Sequence, residues 1–224
     1  MLKPHISFIA MLLFCCGLLQ AQEYISNIRS FGVEDGLSHR SVKSVTEDAN
    51  GFIWIGLENG LQRFDGTEFK SWNAENGFPA FSNIRSVVVD DQGWLWAWNA
   101  TANRFVFIHT FTEEIQTQEQ RFGKQFPVAN GTFTEKNWGA FPIFKNDEDG
   151  TLYLYNQHTT QIVSYHSSRG FKVHPPLKFQ QPAEPGNVKM VKYHNNRFWV
   201  VVNGEKNELI EFDSNGKPQR QTAI

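Results

Sequence analysis

Seven histidines, 23 carboxylates and 7 tryptophans are the side chains of this 224-residue sequence that could do chemistry, and their spacing limits what they can do. After His5, the histidines stand at His39, His109, His158, His166, His174 and His194. None falls at His-x-His or His-x-x-x-His, the intervals that put two imidazoles on one ion, so no metal site is expected. Asn146-Asp147-Glu148-Asp149-Gly150 opens like a calcium loop but lacks the glutamate that would follow five residues on. It is read as a hairpin turn. No Ser/His/Asp set has local motif support, and no carboxylate pair for glycoside cleavage stands out among aspartates that are mostly turn formers. No catalytic residue and no cofactor is expected.

Aromatic residues are the one excess, with 7 Trp, 20 Phe and 5 Tyr. Flat rings can stack on sugars, which makes a glycan one ligand to consider. Trp54, Trp96 and Trp199 recur at one position of a repeat, as a packed core demands. Trp72, Trp98 and Trp138 lie near strand ends or in connections and are the ligand-contact candidates.

The elements that must hold these residues are repeated. Asp48, Gly51 and Trp54 are echoed by Asp90, Gly93 and Trp96 at one shared offset of 42 positions. A third copy runs through Asp149-Gly150-Thr151-Leu152-Tyr153, and a weaker fourth through Asn195-Asn196-Arg197-Phe198-Trp199. Each is followed by a second apolar segment: Leu61 to Phe64, Phe105 to Phe107, Ile162 to Tyr165, and Leu209 to Phe212. Short runs of Val, Ile, Phe and Trp between Gly, Asn and Asp turns are strands joined by tight hairpins. Repeats of roughly 40 to 50 residues with four strands each are propeller blades. The expected fold is therefore all-β, with about four blades of four-stranded antiparallel sheet belonging to a larger ring. The units are approximately 32–73, 74–118, 130–175 and 186–224. In Phe52-Ile53-Trp54-Ile55-Gly56 both side-chain rows are apolar, as a strand buried between two neighbouring blades requires. Gly56 is read as marking the crowded approach to a central channel. Residues 24–31 read as a strand that closes a ring. No convincing helix is expected; the polar stretch from Thr112 to Phe122 is read as a strand end and an inserted loop, with room for a short amphipathic turn.

Residues 1–21 have the parts of a secretory signal peptide: Lys3, an apolar run from Ile6 to Leu19, and Ala21 as the small residue at the cut. The run is short of the roughly 20 residues that cross a bilayer, which disfavours a retained anchor. Cleavage after about Ala21 removes both cysteines, Cys15 and Cys16, and with them disulfides, thiolate nucleophiles and cysteine-held metals. The protein is expected to be periplasmic or secreted, without a further membrane segment. A formal net charge of −2 and the lack of any basic run argue against nucleic-acid binding.

Asp35-Gly36-Leu37-Ser38, Val42, Glu47-Asp48-Ala49-Asn50-Gly51-Phe52-Ile53-Trp54-Ile55-Gly56 and Asn59-Gly60-Leu61-Gln62-Arg63-Phe64-Asp65-Gly66 together resemble the two-component regulator propeller repeat. The second unit departs from that pattern at Trp98-Asn99-Ala100, and the third and fourth keep only the turn and an aromatic. The resemblance implies a periplasmic sensor region of bacterial signalling proteins, common in Bacteroidetes-type hybrid histidine kinases and related regulators. It implies a non-catalytic, ligand-sensing role, a ring of about seven blades, and a β-sandwich, membrane helix and signalling module of which this sequence has none. A fragment or truncated form of such a protein is the expectation, with dimerisation a property of the full-length receptor. The alternatives are a secreted binding or scaffold propeller and, behind it, a polysaccharide-active propeller enzyme.

Overall fold

The computed structural model describes residues 28–78, 80–127, 143–156, 159–179 and 188–224. The signal segment therefore lies outside the described residues. So do residues 24–27 of the expected ring-closing strand. Residues 28–31, the described part of a separate N-terminal unit, form no strand, and the Arg29 guanidinium lies 4.5 Å over the Phe31 ring. No helix among the described residues is long and apolar enough to cross a membrane.

Gly32–Ile224 is a single unit built on four antiparallel sheets, each a meander of four consecutive strands. The first sheet holds β1 (Val42–Glu47), β2 (Ile53–Leu57), β3 (Gly60–Phe64) and β4 (Phe69–Trp72). The second holds β5 (Ile84–Val89), β6 (Trp94–Asn99), β7 (Arg104–His109) and β8 (Ile115–Thr117). In the third are β9 (Ile143–Lys145), β10 (Leu152–Asn156), β11 (Gln161–His166) and β12 (Gly170–Val173). The fourth has β13 (Val188–His194), β14 (Arg197–Val202), β15 (Glu208–Phe212) and β16 (Pro218–Ala223). The first strand of each sheet lies beside the first strand of the next, β1 by β5, β5 by β9 and β9 by β13. These are four blades of a β-propeller, stacked face to face in chain order.

Strand sequence explains the stacking. Successive side chains point to opposite faces, so a strand apolar at every position must be covered on both. In β6, Leu95 and Ala97 face the first blade, while Trp96 and Trp98 face the third, and all four are fully buried. In β10, Leu152 and Leu154 face the second blade, whereas Tyr153 and Tyr155 face the fourth. Gly56 is crowded, as expected, here by β5 of the next blade. A Cβ there would come within 2.8 Å of the Ile84 carbonyl oxygen, so its lack of a side chain is what lets β5 approach β2.

The hairpins carry a second repeated device. Asp48 Oδ1 accepts from the amides of Asn50 and Phe52, and its Oδ2 accepts from the Trp54 indole at 2.7 Å. Asp90 repeats this on Gln92, Trp94 and Trp96, with the indole at 2.9 Å. Gly51 and Gly93 take the positive φ, 82° and 78°, that closes each turn. One aspartate thus shapes the hairpin and satisfies the buried indole N–H of the core.

The expectation of no convincing helix needs correcting. Five residues, Gln118–Phe122, form α1. The stretch is polar, but Thr117 accepts from the Gln120 amide while Gln120 reaches back to the Thr117 amide, a capping box that starts a turn without help from hydrophobic periodicity. Its two key side chains go inward. Phe122 meets the rings of Trp96, Phe107, Tyr165 and Phe171 at 5.0 to 5.4 Å. Arg121 lies 4.2 Å over the Trp94 ring and pairs with the buried Asp90 at 3.1 Å.

Candidate functional site

A single side-chain row, followed across the blades, locates the site. On the face that each blade turns to its successor, the register aligns Trp54, Arg63 and Lys70 in the first blade. Trp96, Phe107 and Gln116 hold that row in the second, and Tyr153, Ser164 and Lys172 in the third. In the fourth it is Trp199, Glu211 and Arg220.

The gaps beside these rows are filled differently. Between the first and second blades, Glu113 from the β7–β8 turn accepts from Arg63 at 3.1 Å and Lys70 at 2.5 Å. Between the second and third, α1 inserts Phe122 and Arg121. Between the third and fourth, a cleft of about 180 Å³ remains. Asp149, Thr151, His166, Arg169 and Gly170 border it towards one end of β10 and β11, while Tyr153, Ser164, Lys172, His174 and Tyr193 form the rest of its lining.

The cleft has a polar floor and aromatic walls. Ser164 Oγ and His174 Nε2 are hydrogen-bonded at 2.8 Å, and both residues are buried. Burial, and then the nearby Lys172, push the His174 imidazole down to about 4, so it is neutral at neutral pH. Tyr153 and Tyr193 present rings 5.6 Å apart, and burial raises the Tyr153 phenol. Burial alone would raise the Asp149 carboxyl as well. Hydrogen bonds from Thr151 and Arg169 outweigh it and hold the group at about 2. Arg169 is thereby matched by Asp149 at 2.7 Å, whereas Lys172 has no ion-pair partner among the described residues.

The sequence-derived candidates lie elsewhere. Trp72 is buried in the core between the first two blades, stacked on Trp54 at 5.1 Å. Trp98 is fully buried between the second and third, 4.9 Å from Phe105. Neither ring offers a face to a ligand, because a strand end near the turn is still sandwiched between blades. Trp138 lies outside the described residues. Trp54 and Trp96 are core, as their recurrence implies, while Trp199 on the same register row is only half-buried. The signal for the cleft was present in sequence as a substitution pattern. The third unit replaces Trp-Phe-Gln by Tyr-Ser-Lys along this row.

Comparison with known proteins adds a family to this geometry. The segment matched by the two component regulator propeller family is 36–59, which runs from the Gly36 turn through β1 and β2. Residues 36–59 thus resemble one two component regulator propeller repeat. The repeat's turn and its Asp48–Trp54 pair are the device described above. Histidine kinase P4 of Formosa agariphila is 42% identical over 52 residues, 23% of this chain and 4% of that protein. Among solved structures, a streptogramin B lyase superposes with a TM-score of 0.56 at 11% identity, over 84% of this chain and 56% of that one. YCF48 bound to D1 peptide superposes at 0.50 and 12% identity, over 87% and 57%. This chain spans a small part of the kinase and a little over half of each solved chain, and the two structures share its propeller fold.

Proposed function

We propose that this chain is the ligand-sensing propeller region of an extracytoplasmic two-component signalling protein, acting by binding and not by catalysis. The observation that carries the reading is the regulator propeller repeat at 36–59, together with 42% identity to a histidine kinase over 52 residues. Export fits the signal segment read at residues 1–21. A ring larger than four blades fits the fourth blade's successor-facing side, where Trp199, Val201 and Leu209 are half-buried and the equivalent Trp54 and Trp96 are fully enclosed. A further blade would cover them.

An in-frame alkaline phosphatase fusion at Ile224 tests the exported half of the reading, since that enzyme is active only outside the cytoplasm. Active fusions that turn inactive on deleting residues 1–21 are expected; equal activity with and without the segment would refute export by it. Reading the genomic frame beyond codon 224 tests the signalling half. Further blades, a membrane helix and a kinase are expected, and a frame that stops after a ring alone would make this a secreted binding propeller.

A further inference from the structure

We infer that the cleft between the third and fourth blades is a binding site for a small hydroxylated carboxylate about the size of one sugar acid. Three features support the assignment. The first is that no side chain among the described residues fills the gap. The two preceding gaps are closed at the same register row by Glu113 and by α1, each with its own charge matched, whereas here Tyr153, Ser164 and Lys172 face a cavity of about 180 Å³. That is below the roughly 300 Å³ at which drug-sized pockets begin, so the occupant is small.

Charge is the second. Asp149 and Arg169 neutralise one another, His174 is neutral, and Lys172 is left with no counter-ion among the described residues. A carboxylate at the mouth of the cleft would pair with that exposed ammonium, whereas a cationic ligand would be repelled by it. Third is the distribution of hydrogen-bonding groups. The buried Ser164–His174 pair is the polar floor that a hydroxyl would meet, and the half-buried Tyr193 ring adds an apolar face. A compact molecule with one carboxylate, several hydroxyls and an apolar ring face matches all three. The assignment concerns the purified propeller alone and stands apart from the signalling reading above.

Calorimetric titration of the purified chain with glucuronate, glucose and glucosamine varies the ligand's charge on one ring. Saturable glucuronate binding is expected, with both other sugars at least tenfold weaker. Lys172→Gln, at an exposed position, is expected to weaken glucuronate at least tenfold. Lys192→Gln, on the fourth blade's opposite face, should change nothing. A readout that needs no variant is the His174 imidazole resonance, which should shift on adding glucuronate and not glucosamine. The assignment is overturned by any of three results: no saturable glucuronate binding, glucosamine binding as tight as glucuronate, or a folded Lys172→Gln chain that binds glucuronate like the parent.

Discussion

Asp48 and Asp90 occupy the same repeat position, yet they carry different loads, and the difference is measurable. Each accepts two turn amides and one indole N–H, but Asp90 alone also holds a guanidinium, that of Arg121. Removing the Asp48 carboxylate strands a buried indole N–H, which costs about 1 to 3 kcal/mol. Removing Asp90 strands an indole and a largely buried cation together, and breaking such a pair from one side costs about 3 to 5 kcal/mol. Urea unfolding of Asp48→Ala and Asp90→Ala should therefore show Asp90→Ala the more destabilised. Adding Arg121→Met to Asp90→Ala should recover part of the loss, because the orphaned charge goes with it. Equal losses for the two single variants, or no recovery in the double, would mean that Arg121 contributes nothing through Asp90. The same comparison shows why identical repeat residues need not be equivalent: a local motif fixes the hairpin, while the neighbour across the blade gap sets its energetic weight.

At the scale of elements, α1 does for the second gap what a larger side chain on the sheet could not. Phe107 and Gln116 leave the widening space beside Trp96 unfilled, and Phe122 enters it from the insertion. Phe122→Ala should cost about 2 to 4 kcal/mol through lost ring contacts and the cavity left behind. Thr117→Ala, which removes only the cap, should cost about 1 kcal/mol. Thermal unfolding of the two variants checks both values, and a Phe122→Ala chain as stable as the parent would show that the helix only decorates the sheet edge. The blades themselves were legible in the sequence because turn residues and doubly apolar strands recur from unit to unit, and each instance is a local signal. Helix α1 was not, since its cap is polar, its length is a little over one turn, and Phe122 is its only apolar anchor. The cleft was hidden for a related reason. Tyr153, Ser164 and Lys172 sit on three strands, His174 follows the last of them, and Tyr193 comes from the next blade, so only the register and the stacking bring them together. Trp72 and Trp98 misled because closeness to a strand end says nothing of what the neighbouring blade covers.

Within Gly32–Ile224 each blade is held by its neighbours in chain order, and that arrangement predicts how the unit opens. The apolar clusters join first to second, second to third and third to fourth blade in succession. Stability in such an array is close to a sum of blade terms and nearest-neighbour interface terms, so an end blade can open without unmaking the middle. The second blade is enclosed on both faces, with Leu95, Trp96, Ala97 and Trp98 all at zero exposure. The fourth has one such face; its other side leaves Trp199, Val201 and Leu209 half-buried, and nearly all of β16 is exposed. Native-state hydrogen exchange should then find β6 amides exchanging only through global unfolding, and β14 and β15 amides through a cheaper opening of the fourth blade. Uniform protection across both blades would show that the stack unfolds as one unit. The cleft lies at the interface this opening would break, lined by the third blade and by Tyr193 of the fourth. Any ligand that needs both walls binds only the closed form and adds RT ln(1 + [L]/Kd) to its free energy. At a hundredfold excess over Kd, the fourth blade's opening should therefore become about 2.7 kcal/mol harder, with the free energy of β6 exchange rising by the same amount and no more. Protection confined to the third blade would place the ligand on one wall of the cleft only, and coupling between blades would then play no part in its recognition.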